Sequence, residues 1–219
     1  MSRERPLPYR WVGGGPVRLL RRLLTAYLYR LLLAPWMRRF TVEGIAHIPP
    51  GPVIYAATHT SMADTPLILR ALGRHGDRVV VTAARDFFFR RSRPGFGPFV
   101  ALAFGAVPID RTGSPRHSLN DAITWLRSGY SIVIYPQGAI PDHAEDERKL
   151  HRGVALLARQ AHRPVVPVRI VGAAELLPAS IHWPRRAAVC VTFLSPILYA
   201  EAENTAQFIG SLSDRLFST

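Results

Sequence analysis

From residue 51 onward the chain alternates between short apolar runs and longer segments with helical spacing. "GPVIYAAT" (51–58) is an apolar run of strand length, and "DTPLILRAL" after it has the spacing of a helix. "DRVVVTAA" (77–84), "GAVPID" (105–110) and "YSIVIYP" (130–136) predict further strands. Between the last two, "SPRHSLNDAITWLRSG" carries a helix start at Ser114–Pro115 and a stop at Gly129. "HRGVALLARQA" predicts a helix, "PVVPVRIVGA" and "AAVCVTFLSPI" predict strands, and "TAQFIGSLSDRLFS" closes the chain as an amphipathic helix. Strands that alternate with helices are the mark of parallel crossovers, so the pattern predicts one α/β domain with a mostly parallel mixed sheet flanked by helices.

The first 38 residues are of a different kind. At about 100° per residue, "PVRLLRRLLTAYLYRLLLA" (16–34) gathers Arg18, Arg21, Arg22, Thr25 and Tyr29 on one side and Leu20, Leu23, Leu24, Tyr27 and Leu31 on the other. Two readings are open: a basic amphipathic helix in a membrane interface, with Trp11 and Trp36 at headgroup depth, or a helix packed on the domain's own core. The expected organisation is residues 1–38 as an N-terminal amphipathic membrane-interface segment and 39–219 as the main domain. Arginines interrupt the Leu-rich stretch and "PFVALAFGAVPI" is short, so no segment reads as a membrane span. "MSRERPLPYRWVGGG" lacks the apolar core of a signal peptide.

Charge sharpens this picture. The 28 basic residues outnumber the 15 acidic ones for a net charge of +13, and Lys149 is the only lysine. Arginine makes bidentate contacts with phosphate, so the charge predicts an anionic partner: a phospholipid surface, a phosphorylated substrate, a carrier such as coenzyme A, or nucleic acid. A nucleic-acid partner is not expected, because no recognition motif or base-stacking platform accompanies the charge. Cys190, the single cysteine, excludes an intrachain disulfide and a cysteine-cluster metal site, and its apolar surroundings predict a buried, inert thiol.

The candidate chemistry lies in "YAATHTSMADTPLIL" (55–69), where an apolar strand meets a helix. Five residues along a helix turn the chain by about 500°, so His59 and Asp64 face each other only if His59 precedes the helix and Asp64 opens it. Pro66 favours that arrangement, being tolerated in a first turn. A carboxylate on one imidazole nitrogen fixes the tautomer and leaves the other nitrogen free as a base. The competing reading is a helix cap, Ser61-x-x-Asp64, with His59 merely packed at the junction.

Further motifs accompany this one. "THTSMAD" resembles the H-x4-D box of the glycerophospholipid acyltransferases, in particular the 1-acylglycerol-3-phosphate acyltransferases. "FGAVPIDR" (104–111) resembles that family's second block, "IVIYPQGAI" (132–140) falls where its P-E-G-T-R block is expected, and "HRGVALLARQAHRPVVPVRIVG" resembles the fourth. The resemblance runs from about Val42 to Gly172 with the blocks in order. It implies a transferase of lipid metabolism and phospholipid biosynthesis, moving a fatty acyl group from acyl-CoA or an acyl carrier protein to a hydroxyl of a lysophospholipid. By the resemblance His59 is the general base and Asp64 orients it, while Arg111, Gln137, Gly138 and Ser61 bind the acceptor. The residues that hold the donor are not assigned, no bound cofactor or metal is implied, and the expected location is peripheral, on the cytoplasmic face of the cell membrane.

The third block departs from its pattern: Gln137, Ala139 and Ile140 stand where Glu, Thr and Arg are usual. Gln137 keeps hydrogen-bonding capacity without charge, and Ile140 removes a guanidinium that would meet an anionic acceptor. A different lipid acceptor, or a catalytically impaired lipid-binding relative, is therefore the second expectation. There is no G-x-S-x-G elbow, so Ser61 reads as a local hydrogen-bonding residue rather than a nucleophile. His117, His143, His151 and His162 show no metal-ligand spacing and read as surface residues. "FFFRR" (87–91) reads as lipid-facing or as core, and "DHAEDERKLHR" (142–152) as a solvated loop at the edge of the site.

Overall fold

At the centre of the fold lies a four-residue strand buried on both faces. The structure, a computed structural model, describes residues 9–89, 95–109, 115–141, 148–178, 180 and 183–218, with only the backbone of 115–118. The central strand is β2 (Ile54–Ala57). Around it stand β1 (Met37–Glu43), β3 (Val79–Ala84), β4 (Ala106–Ile109), β5 (Ser131–Ile134), β6 (Val165–Val171) and β7 (Ala187–Phe193), in a seven-stranded sheet of order β1-β7-β6-β2-β5-β3-β4. All neighbours pair in parallel except β6 with β7, which are antiparallel. The sheet is mixed and mostly parallel, as the alternating pattern predicts.

The period of two along β2 divides the core. Ile54 and Ala56 join Ile132, Trp125 and Leu126 of α5 (Pro115–Arg127), Leu157 of α6 (Gly153–Ala161) and Phe208 of α8 (Thr205–Phe217). Tyr55 and Ala57 join Val133, Leu67 and Ile68 of α2 (Asp64–Leu72) and Leu176 of α7 (Ala173–Leu176) on the other face. Burial on both faces explains why the central strands read as unbroken apolar runs.

Several expectations change. "MRRFTVEG" (37–44), to which the apolar pattern assigns no element, forms β1, paired with β7 from Met37↔Ala187 to Glu43↔Thr192. Its pattern of intermediate and exposed residues hides the strand, because β1 is an edge. The Phe-rich segment folds into α3 (Arg85–Phe88) and α4 (Phe96–Phe104). Cys190 is half-buried, not buried: β7 turns Val189, Val191 and Phe193 into the core and Ala188, Cys190 and Thr192 outward.

The N-terminal helix α1 (Gly15–Leu28), extended by a π-helical turn over Tyr29–Leu33, is held by its polar side. Arg21, only 7% exposed, donates from Nε to Leu102 O at 3.0 Å and from a terminal nitrogen to Val12 O at 2.7 Å. Thr25 Oγ1 donates to Ala103 O at 2.7 Å. Leu102 and Ala103 end α4, so both side chains serve carbonyls that a helix terminus leaves unpaired. Arg22 pairs with Asp77, and the Tyr29 ring lies under the Arg70 guanidinium at 5.3 Å. Burial lowers the Arg21 pKa to about 10, which leaves it charged at neutral pH.

The leucine side faces out. Leu19 is 58% exposed and Leu23 and Tyr27 are each 62% exposed, with Leu20, Leu31, Leu32, Trp11 and Trp36 also exposed. A surface helix ordinarily turns its apolar stripe toward the core, and α1 does the reverse. Among the described residues no helix is long and apolar enough to cross a membrane.

Candidate active site

In a doubly covered parallel sheet the crevice for ligands opens at the carboxyl ends of the strands, where successive connections leave in opposite directions. The chain leaves β2 toward β3 on one side and later passes from β5 to β6 on the other. His59 lies two residues beyond β2, at that end. Thr58 continues the strand, donating its N–H to Val168 O at 3.1 Å and accepting from Ile170 N–H on its hydroxyl at 3.1 Å. The backbone then turns through Thr60 to Ala63 into α2, whose first residue is Asp64.

Asp64 is fully buried and its Oδ2 accepts three hydrogen bonds. One comes from His59 Nδ1 at 2.9 Å, the others from the N–H groups of Thr60 at 2.7 Å and Ser61 at 2.9 Å. One carboxylate thus makes both the contact with His59 and a bond back to Ser61, while the N-cap of α2, Ala63, has no side-chain cap bond. The bond back to Ser61 N–H is the one that the acid of a capping box makes. With Nδ1 engaged by a carboxylate acceptor, Nε2 of His59 is left as the free ring nitrogen, and the side chain is 19% exposed.

The third block wraps the opposite side of His59. Tyr135 follows β5 and Gly138 N–H returns to Tyr135 O at 2.9 Å, closing the turn. Gln137 is buried and its Oε1 accepts His59 N–H at 2.6 Å. The side chain thus holds the backbone of the loop that carries His59. Gly138 has φ 78°, where a side chain is strained, and a Cβ there would stand 3.0 Å from the His151 ring. His151 N–H donates to Pro136 O at 2.8 Å, which docks the segment before α6 onto this turn. His151 is exposed, as read from sequence, but it lies against the site rather than away from it. Its spacing carried no sign of that, because the contact depends on the return of the chain after residues 142–147.

The remaining candidates divide as follows. Ser61 is buried, its hydroxyl donating to Leu177 O at 2.7 Å and accepting from Ala63 N–H at 3.0 Å. Ile140 is half-buried at the end of the turn. Arg111, His143 and most of the charged run at 142–152 lie outside the described residues, as does the His117 side chain. Phe88 and Phe89 pack inward while Phe87, Phe96 and Phe99 are exposed. Among the described residues no group of three His, Cys, Asp or Glu side chains stands close enough to hold a metal ion.

The family model for acyltransferases matches residues 39–171, which is most of the chain and spans His59, Asp64 and the third block. The chain belongs to the acyltransferase family. The match starts inside β1, so it includes the sheet through β6 and excludes α1 and β7. The crystal structure of PlsC, the 1-acyl-sn-glycerophosphate (LPA) acyltransferase of Thermotoga maritima, is similar in fold. It aligns with a TM-score of 0.63 at 20% identity, over 92% of this chain and 75% of that one. No curated protein matches the chain. The buried carboxylate, the imidazole and the turn that grips its backbone lie together at the carboxyl end of the central strand.

Proposed function

We propose that this acyltransferase moves a fatty acyl group from an acyl thioester, on coenzyme A or an acyl carrier protein, to a hydroxyl of a lysophospholipid such as 1-acylglycerol-3-phosphate. The observation that carries the reading is the 2.9 Å contact of His59 Nδ1 with Asp64 Oδ2. It leaves Nε2 to take the acceptor's hydroxyl proton as the oxygen attacks the thioester carbonyl. Collapse of the tetrahedral adduct breaks the C–S bond, and the imidazolium returns its proton to the departing thiolate. Asp64 holds the tautomer and offsets the charge that His59 gains.

In this reading Arg111 meets the acceptor's phosphate, and Gln137 and Gly138 shape the turn beside the acceptor. The activity of the Thermotoga maritima enzyme, similar in fold, supports a lysophosphatidate-type acceptor. Ile140 leaves the third block without its usual cation, which supports a weaker hold on a phosphomonoester or a different lipid headgroup. The bond from His59 N–H to Gln137 Oε1, which holds the loop that carries His59, argues against loss of catalysis as the meaning of that departure.

The enzyme works at a membrane surface, peripherally and from the cytoplasmic side. The outward leucine face of α1, flanked by Trp11, Trp36 and arginines, supports this, because it has the composition of an interfacial helix. The deciding experiment is a screen of lysolipid acceptors against one labelled acyl-CoA and one acyl carrier protein thioester. The expected result is turnover on at least one acceptor, lost in His59→Ala and Asp64→Ala proteins that remain folded. Undiminished turnover in a folded His59→Ala protein would overturn the mechanism, and vesicle binding without turnover on any acceptor would favour a non-catalytic lipid-binding role.

A further inference from the structure

A single hydrogen bond at Nδ1 does not hold an imidazole still, because the ring can rock about the bond that joins it to the chain while keeping that contact. His59 has a second restraint in the plane-to-plane direction. The Tyr135 ring lies against it, with centroids 4.1 Å apart and planes 22° from parallel. Tyr135 leaves β5 where that strand pairs with β2, Ala56 opposite Ile134, so the two adjacent parallel strands deliver both rings to the same level. The far end of the phenol is also tied. Its oxygen is 2.7 Å from Thr65 Oγ1, and Thr65 follows Asp64 in the first turn of α2.

We propose that Tyr135 is a positioning residue for His59, a stacking platform braced through Thr65 to the same helical turn that carries the orienting carboxylate. Asp64 fixes the ring in its plane and Tyr135 fixes the plane itself, so the direction of the Nε2 lone pair is set before substrate arrives. The aromatic face adds an electronic component: its negative quadrupole favours the imidazolium that forms on proton transfer. The platform stays a neutral phenol, since burial and the nearby Asp64 charge push the Tyr135 hydroxyl far above its ordinary pKa. The inference rests on His59 being the base of the proposed reaction.

The test compares Tyr135→Phe, Tyr135→Leu and Thr65→Val in the full chain. Tyr135→Phe keeps the stacking face but removes the hydroxyl that Thr65 braces, so it is expected to lower kcat about two- to fivefold, as Thr65→Val is. Tyr135→Leu removes the face and is expected to lower kcat about tenfold or more with KM changed less than about twofold, the pattern of a group that matters in the transition state. A second readout needs no turnover: the downfield Nδ1–H proton resonance of His59. It should be sharp in wild type, broaden in part in Tyr135→Phe, which keeps the face but loses the brace, and broaden most in Tyr135→Leu, with the thermal midpoint of the protein little changed. Should Tyr135→Leu fail to fold, Thr65→Val removes only the brace, and the same resonance should broaden with a drop of about two- to fivefold in kcat. A wild-type resonance and wild-type kcat in the folded Leu or Val protein would overturn the proposal. His59→Ala separates the two levels: full activity there sinks the base reading, whereas the resonance reports on the platform whatever the reaction proves to be.

Discussion

Asp64 puts three hydrogen bonds on Oδ2 and leaves Oδ1 buried without a protein partner among the described residues. Truncation to Ala would orphan the N–H groups of Thr60 and Ser61 at about 1–3 kcal/mol each, mixing stability with chemistry. Asp64→Asn is the cleaner change. It keeps an acceptor for the loop but removes the charge that orients His59, so kcat should fall on the order of a thousandfold or more while the thermal midpoint moves little. Gln137 and Ile140 make a second pair for testing. Gln137→Glu keeps an oxygen for His59 N–H and should be tolerated, whereas Gln137→Leu leaves that N–H unpaired and should destabilise by about 1–3 kcal/mol. Ile140→Arg restores a cation at the turn and should improve KM for a phosphomonoester acceptor by about one to two decades, leaving uncharged acceptors unaffected. The pairing of His59 with Asp64 was legible because their spacing, Pro66 and the later blocks all constrain it. The aim of Gln137 at the His59 backbone was not. A side chain's direction across two strands far apart in sequence depends on how β5 lies beside β2, and local pattern contains no record of that.

The same division between stripe and direction governs the elements. A helical wheel finds the two faces of α1 but carries no information on which one meets the body, and the usual rule sends the leucines inward. Arg21 and Thr25 reverse it because the end of α4 offers them the carbonyls of Leu102 and Ala103, a match visible only after the fold has brought α4 alongside. Sheet strands were legible where both faces are buried, as in β2, and illegible at the β1 edge, where half-exposed positions break the alternation. The reversed helix makes two opposite predictions. Arg21→Met should lower stability by about 2–4 kcal/mol, since it orphans carbonyls and loses charge-assisted bonds. In a domain of this size that is a fall of roughly 5–15 °C in thermal midpoint, readable by circular dichroism. Leu23→Glu with Leu31→Glu should leave the midpoint unchanged, because both side chains are already exposed, and should sharply reduce sedimentation with phospholipid vesicles.

On the scale of the whole molecule, the proposed binding to an anionic lipid surface would combine two attractions that respond differently to salt. The net charge of +13 draws the protein from a distance, but that pull is screened. Apolar area buried among acyl chains is not screened, and at about 25 cal/mol per Å² a helix face of leucines outweighs a few headgroup contacts of about 1 kcal/mol each. Arg21 cannot contribute to those contacts, being spent on Leu102 and Val12, and Arg22 pairs with Asp77. Deleting the N-terminal segment would confuse this comparison, because Val12 sits in the core and Tyr130 donates to Gly13 O at 2.8 Å, so the deletion strips part of the body. Point changes keep the fold. For wild type, raising NaCl from about 0.1 to 0.5 M shrinks the screening length from about 10 Å to less than half of that, and vesicle affinity should fall only about tenfold. For the double Leu→Glu protein any residual binding is electrostatic and should vanish over the same range. Equal salt sensitivity in the two proteins would mean that charge alone holds the enzyme to the surface and that the exposed leucines have another use.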